Sequence, residues 1–153
     1  MNEILEAREA RSLLVKEKYR GFPLLVIKAN TPGTNKNPPQ AYFLVDYFAR
    51  IVKEKFPVSK IEFYKSADGP YWLVEFSKIE NFKADLIKIE DNHPLGRLID
   101  LDFYLNPTES ESRLALNLNP RKCLICSDAA MHCARSQKHS LQDLNQKIDS
   151  IIL

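Results

Sequence analysis

The hydrophobic period of this chain switches repeatedly between two and about 3.6 residues along positions 22–105, and that alternation narrows the choice of fold more than any other feature. Residues 22–27 form a short continuous apolar run, the pattern of a buried strand. Ala41, Leu44, Val45, Phe48, Ile51 and Val52 then recur at helical spacing. Pro39 suits the first turn of that helix and Pro57 ends it. Ile61 and Phe63 begin a second strand, Asp68-Gly69 signals a hairpin, and 71–76 is the returning strand, rich in aromatic and β-branched residues. Ile79, Phe82, Leu86 and Ile89 recur at steps of three and four, which favours a helix. His93-Pro94-Leu95-Gly96-Arg97 breaks it, and 98–105 alternates with a period of two.

The resulting β-α-β-β-α-β order is that of the ferredoxin-like split βαβ motif. The expected fold class is α+β, with an antiparallel or mixed sheet and its helices on one face. An irregular α+β fold is the alternative. Residues 2–19 read as an added N-terminal helix, with Ile4, Leu5, Leu13 and Leu14 as its apolar side. Its early glutamates and late lysines suit the helix dipole, and Gly21 is its stop. Residues 30–38 form a loop dense in turn formers, and 113–118 read as a short partner strand. Residues 119–153 form a Cys/His-containing helical appendage. Ser140 caps its last helix, which carries Leu141, Leu144, Ile148, Ile151 and Ile152 on one side. A length of 153 residues is that of one domain over 1–153.

A net charge of +2 is too small to suggest nucleic acid as a partner. No apolar run approaches the ~18–20 residues of a membrane span, and residues 1–20 are too charged for a signal peptide. The expected location is the cytoplasm, where the three cysteines stay reduced.

The sharpest chemistry lies in Gly96-Arg97-Leu98-Ile99-Asp100-Leu101-Asp102-Phe103. On a strand, Ile99, Leu101 and Phe103 face one side, and Asp100 and Asp102 the other. Two residues along a strand span ~6.5 Å, so both carboxylates can converge on one divalent ion. A cation relieves their repulsion, and Mg²⁺ commonly takes one or two carboxylates together with phosphate oxygens. The bland reading is a half-buried strand with a solvated acidic face. Arg97 beside them suits either a phosphate clamp or a plain ion pair.

Cys123, Cys126, Cys133 and His139 have the spacing Cys-x2-Cys-x6-Cys-x5-His. Three thiolates and one imidazole can close a tetrahedral structural Zn²⁺ site. Ordinary packing of reduced cysteines is the alternative, and His132 is a competing nitrogen ligand. A redox role for Cys123 and Cys126 ranks lower, because no thioredoxin-like context surrounds them.

Two long motifs, His93-Pro94-Leu95-Gly96-Arg97-Leu98-x-Asp100-x-Asp102 and Pro120-Arg121-Lys122-Cys123-Leu124-Ile125-Cys126, resemble those of the apo-citrate lyase phosphoribosyl-dephospho-CoA transferases. Cys133-Ala134-Arg135-Ser136 with His139, Arg8-Glu9-Ala10-Arg11, Pro32-Gly33 with Lys36, Gly69-Pro70 and Arg113 extend the likeness over nearly the whole chain. The resemblance implies a reaction. A serine of the citrate lyase acyl carrier protein attacks the α-phosphate of 2′-(5″-triphosphoribosyl)-3′-dephospho-coenzyme A, and pyrophosphate leaves. It does not assign catalytic roles; the residues' own chemistry does. Asp100 and Asp102 would hold Mg²⁺ on the triphosphate. Arg97, with Lys36, Arg113, Arg121 or Arg135, would neutralise pyrophosphate. His93 or an aspartate would accept the serine proton. Two other functions fit fewer of these residues: a zinc-dependent binding module, and a non-catalytic assembly factor of the lyase.

Overall fold

The computed structural model describes residues 2–113, 121–126 and 128–152. In chain order the elements are α1 (Asn2–Lys18), β1 (Leu24–Ala29), α2 (Pro39–Lys55), β2 (Val58–Tyr64), β3 (Tyr71–Phe76), α3 (Lys83–Asn92), a 3-10 turn (Gly96–Leu98), β4 (Ile99–Tyr104), α4 (Ala130–Ser136) and α5 (Leu141–Ile152). The fold is α+β. Its sheet has four strands in the order β2-β3-β1-β4, and every neighbouring pair is antiparallel. It follows that β1 and β2 run parallel with β3 between them, and that β3 and β4 run parallel with β1 between them.

One sheet face carries the main core. Leu25 and Ile27, Val74 and Phe76, and Ile99, Leu101 and Phe103 pack there against Ala41, Leu44, Val45, Phe48 and Val52 of α2 and Leu86 and Ile89 of α3. Each large side chain fully buried in this layer contributes about 1.5–3 kcal/mol relative to exposure. Ile148 of α5 joins the same cluster. The opposite face is covered by α1, through Val15 and Leu14 on Leu24, Val26, Tyr71 and Leu73.

Several expectations shift. The first strand lies at Leu24–Ala29 and not at 22–27. The helix expected to begin at Ile79 begins at Lys83, and Ile79 is 72% exposed, so only the later part of that period is used. On α1, Leu5 and Leu13 face solvent, while the turned-in side carries Ala7, Arg11, Leu14 and Val15. The partner strand expected at 113–118 lies, beyond Arg113, outside the described residues. Pro39 does occupy the first turn of α2, and Ser140 Oγ accepts the Asp143 N–H at the start of α5.

β4 is an edge strand, and its outer side is capped by side chains. Arg121 donates to the Ile99 carbonyl (2.9 Å), and Glu90 accepts the Leu101 N–H (2.8 Å). Lys83 donates to the Leu101 carbonyl (3.2 Å), and the Glu111 N–H reaches the Phe103 carbonyl (2.7 Å). These bonds satisfy backbone groups that would otherwise offer a free edge. Gly96 makes the preceding turn possible. A Cβ there would overlap the Glu90 carbonyl oxygen and lie 2.6 Å from that of Ile89.

Candidate functional site

The strand registers assemble one polar row on the α1 side of the sheet. Tyr64 faces Tyr71, Tyr71 faces Lys28, and Lys28 faces Asp100. The adjoining row is Glu62, Leu73, Val26 and Asp102. Asp100 and Asp102 therefore share the face opposite the main core, as the alternation of β4 requires, and both are half-buried.

Asp68, in the turn between β2 and β3, is the anchor of this end. Its side chain is fully buried and meets Arg11 at 2.8 Å, Arg8 at 3.2 Å and Lys28 at 3.6 Å. Burial alone would raise its pKa. The hydrogen bond from Arg11 and the charges of Lys28, Arg11 and Arg8 outweigh that and hold it below the ordinary carboxylate value. Lys36 donates to the Thr31 carbonyl (2.6 Å). Burial, then the nearby Lys28 charge, lowers its pKa, with Asp68 and Asp100 acting in opposition. Four cations, Arg8, Arg11, Lys28 and Lys36, thus gather around Asp68 and the aspartate pair.

Asp102 is pushed up to about 6, first by burial and then by the charge of Asp100. Two carboxylates on one face repel, and a cation between them would relieve the repulsion. Asp100 itself binds Arg121 at 2.6 Å. Arg121 also donates to the Gly96 carbonyl (2.8 Å), so it clasps the 3-10 turn and the start of β4 together. Arg97 stands nearby. Its Nε and Nη1 are buried and have no hydrogen-bond partner among the described residues. Its pKa is lowered by burial and by the charge of Arg121.

The other residues singled out in the sequence lie elsewhere. His93 caps the end of α3 on the α2 side. Its Nδ1 accepts the Leu95 N–H (3.0 Å), so its Nε2 faces the Tyr47 hydroxyl (3.1 Å) as the protonated nitrogen. The ring rests against Phe48, in the core layer opposite the aspartates. Arg113 is paired with Glu90 (2.8 Å) and Asp91 (3.0 Å) of α3. Arg135 is exposed on α4. Sequence reasoning passed over Lys28 and Asp68 as chemical groups and gave Arg8 and Arg11 no role of their own. The available signals were a lone lysine ending an otherwise apolar strand and two arginines three apart on one helix face.

The cysteines form a second centre. An isolated bridge joins Lys122 to Ala129, and Cys133 follows on α4. The ligand atoms of Cys123, Cys126, Cys133 and His139 all lie within 4.8 Å of one another. Cys126 Sγ is 3.5 Å from Cys133 Sγ and 3.4 Å from His139 Nε2, and the Ile125 N–H points to Cys123 Sγ. A tetrahedral site with Zn–S bonds of about 2.3 Å has ligand separations of about 3.8 Å, close to these values. The hydrogen bond to His139 leads in lowering Cys126 to about 6, while burial leads in pushing Cys133 up to about 12. The set closes with His139 and not with the exposed His132.

A half-buried aspartate pair amid basic residues, beside a cluster of three cysteines and a histidine, defines a small α+β protein with two centres of polar chemistry. The family model described as apo-citrate lyase phosphoribosyl-dephospho-CoA transferase matches residues 1–153, and the chain belongs to that family. It is 30% identical over 163 residues to a probable apo-citrate lyase phosphoribosyl-dephospho-CoA transferase of Streptococcus pyogenes serotype M3, covering 99% of this chain and 84% of the relative. It is 28% identical over 158 residues to the apo-citrate lyase phosphoribosyl-dephospho-CoA transferase of Shigella flexneri serotype 5b (98% and 86%). It is 32% identical over 162 residues to protein CitXG of Leuconostoc mesenteroides subsp. cremoris, spanning 98% of this chain and 34% of that protein. The family's activity is transfer of phosphoribosyl-dephospho-CoA to apo-citrate lyase. Among the described residues no helix is long and apolar enough to cross a membrane.

Proposed function

We propose that this chain is a cytoplasmic transferase of the nucleotidyltransferase type. It joins the phosphoribosyl-dephospho-CoA unit of 2′-(5″-triphosphoribosyl)-3′-dephospho-coenzyme A to a serine of the citrate lyase acyl carrier protein. The serine oxygen forms a bond to the α-phosphorus, the bond from that phosphorus to the bridging oxygen breaks, and pyrophosphate leaves. The observation that carries this reading is the Asp100–Asp102 pair set among Arg8, Arg11, Lys28 and Lys36. The raised pKa of Asp102 supports Asp100 and Asp102 as Mg²⁺ ligands. The ion, when bound, would draw charge from the triphosphate oxygens.

The chain's own residues do the rest. Lys28, Lys36 and Arg8 neutralise the departing pyrophosphate, and Arg97 binds phosphate. A carboxylate of the pair accepts the serine proton, because both ring nitrogens of His93 are already engaged in the other layer. Zn²⁺ held by Cys123, Cys126, Cys133 and His139 would fix the segment that delivers Arg121 to Asp100. The sheet order and the β-α-β-β-α-β succession support a ferredoxin-like assignment for the framework.

The test combines purified protein, apo-carrier, the triphosphoribosyl precursor and Mg²⁺, with intact mass read on the carrier. A gain equal to the whole prosthetic group is expected. No gain, with carrier still captured, would make the chain an assembly factor instead.

A further inference from the structure

A cavity of about 480 Å³ opens between the residue 30–33 segment, the start of β4 and the Cys/His segment. It is within the range of about 300–1,000 Å³ usual for small-molecule sites. Its lining is of two kinds. Arg97, Asp100 and Arg121 are charged, Pro32, Leu124, Met131, Leu144 and Ile148 are apolar, and three of the four Cys/His ligands line it as well. Arg121 has carboxylate and carbonyl partners. Arg97 has neither a carboxylate at ion-pairing distance nor a partner for Nε or Nη1 among the described residues. Those two nitrogens are closed off, so an anion in the cavity would meet the part of Arg97 that lines it and would offset the burial of the rest of the guanidinium.

Asp100 is the hinge between this cavity and the cationic cluster. Asp100 lines the cavity and stands opposite Lys28 in the strand register. The two regions therefore meet at Asp100. A triphosphate needs several cations, which the Lys28 and Lys36 side supplies. The Arg97 side offers one cation with no ion-pair partner among the described residues, in a cavity with several apolar lining residues, so it asks for an anion attached to an apolar group.

Resting on the transferase reading above, we infer that this cavity is the subsite for the adenosine 5′-diphosphate portion of the substrate, with Arg97 on the diphosphate and the purine against Met131, Leu124 and Leu144. Connectivity selects the adenosine over the pantetheine arm. The reacting phosphate is joined through one ribose to the adenosine 2′-oxygen, while pantetheine lies beyond the 5′-diphosphate as well. The group sharing a cavity with Asp100 must be the nearer one. A neutral pantetheine arm in this place would also leave Arg97 without a counter-charge.

The experiment is calorimetric titration of the full chain with four probes: dephospho-CoA, ADP, pantetheine and inorganic tripolyphosphate. Dephospho-CoA and ADP should bind, and pantetheine should not. Arg97→Ala should weaken both nucleotides about tenfold or more, the loss of a charge-assisted contact, and leave tripolyphosphate within about twofold. Lys36→Ala should do the reverse. Met131→Asp, on an exposed wall residue, should weaken ADP while urea denaturation confirms an intact fold. Arg97→Lys retains the charge and should recover part of the ADP affinity. Pantetheine binding as tightly as ADP, or ADP binding indifferent to both Arg97→Ala and Met131→Asp, would overturn the assignment. The carrier-mass assay separates the two levels. Transfer with ADP blind to Arg97 removes the subsite alone, and an Arg97-dependent ADP site without transfer removes the catalytic reading alone.

Discussion

Replacing Asp102 with asparagine removes a charge and keeps the shape, so it isolates what the ionised carboxylate does. Asp102 titrates at about 6 in the folded protein, because burial and then Asp100 oppose its charge. In the unfolded chain it titrates near the ordinary carboxylate value of about 3.9. That gap corresponds to about 3 kcal/mol by which ionised Asp102 opposes folding. The folded state holds the proton more tightly than the unfolded state. The penalty is therefore absent below about pH 4, grows as pH rises, and is complete above about pH 6. Asp102→Asn should be more stable than the parent by about 1–3 kcal/mol at pH 8, the lower figure allowing for the half-buried position, and nearly equal to it at pH 4. Urea denaturation without metal at both pH values measures this. Carrier modification by the variant should fall to a small fraction of the parent rate. With Mg²⁺ added at pH 8, the parent should gain thermal stability and the variant should gain little. A variant no more stable than the parent at pH 8, or one equally stabilised at both pH values, would refute the assignment of strain to this carboxylate.

The remaining expectations concern other parts of the molecule. Gly96→Ala should destabilise by about 2 kcal/mol or more, since its Cβ must displace the 3-10 turn from the end of α3; a loss under about 0.5 kcal/mol in urea denaturation would show that the turn yields freely. Arg113→Ala should cost about 2 kcal/mol by taking the nearer of two arginines from buried Glu90, which keeps Arg121 at 3.9 Å, with KM for the precursor unchanged in the folded protein; a large rise in KM at unaltered stability would give Arg113 a phosphate-binding role instead. Metal analysis of protein purified without chelators should find about one zinc per chain, and Cys126→Ser should lower both zinc content and Tm; undiminished Tm and no zinc in the parent would return the cysteines to ordinary packing.

Local chemistry made much of this molecule readable from its sequence. The returning strand falls at Tyr71–Phe76 as expected, and β4 buries its odd-numbered residues, because alternation and β-branched or aromatic content act within a few residues. The Cys/His set was readable because thiol and imidazole spacing is itself the signal. What escaped depends on chain segments far apart. Asp68 marks a turn in the sequence, but its burial requires α1 to bring Arg8 and Arg11 across from 57 residues away in the case of Arg11. Lys28 gains its meaning only from the register that sets it opposite Asp100. His93 stands four residues from Arg97, yet the end of α3 and the 3-10 turn send the two side chains to different layers. Proximity in sequence was a poor guide there because a turn lies between them.

The position of the aspartate pair on an edge strand decides which groups can reach it. In an interior strand the pair would be flanked by neighbours on both sides. β4 has β1 on one side only, and its other side is held by Arg121, Glu90, Lys83 and the Glu111 N–H. Those four contacts come from segments before and after the strand, so β4 is fixed without a fifth strand to cover it. α1 shields the face around Asp102, and the Arg8 and Arg11 it carries point toward the same charged end. Asp100 lies at the exit of that shield, with the cationic cluster on one flank and the Arg97 cavity on the other. On the proposed reading, an elongated substrate laid across Asp100 would have its triphosphate over the lysines and its nucleoside in the cavity. This ties the proposed chemistry to the sheet order itself. A β4 moved to the centre of the sheet would keep both carboxylates and lose Arg121 from beside Asp100, since Arg121 reaches the strand from its free edge.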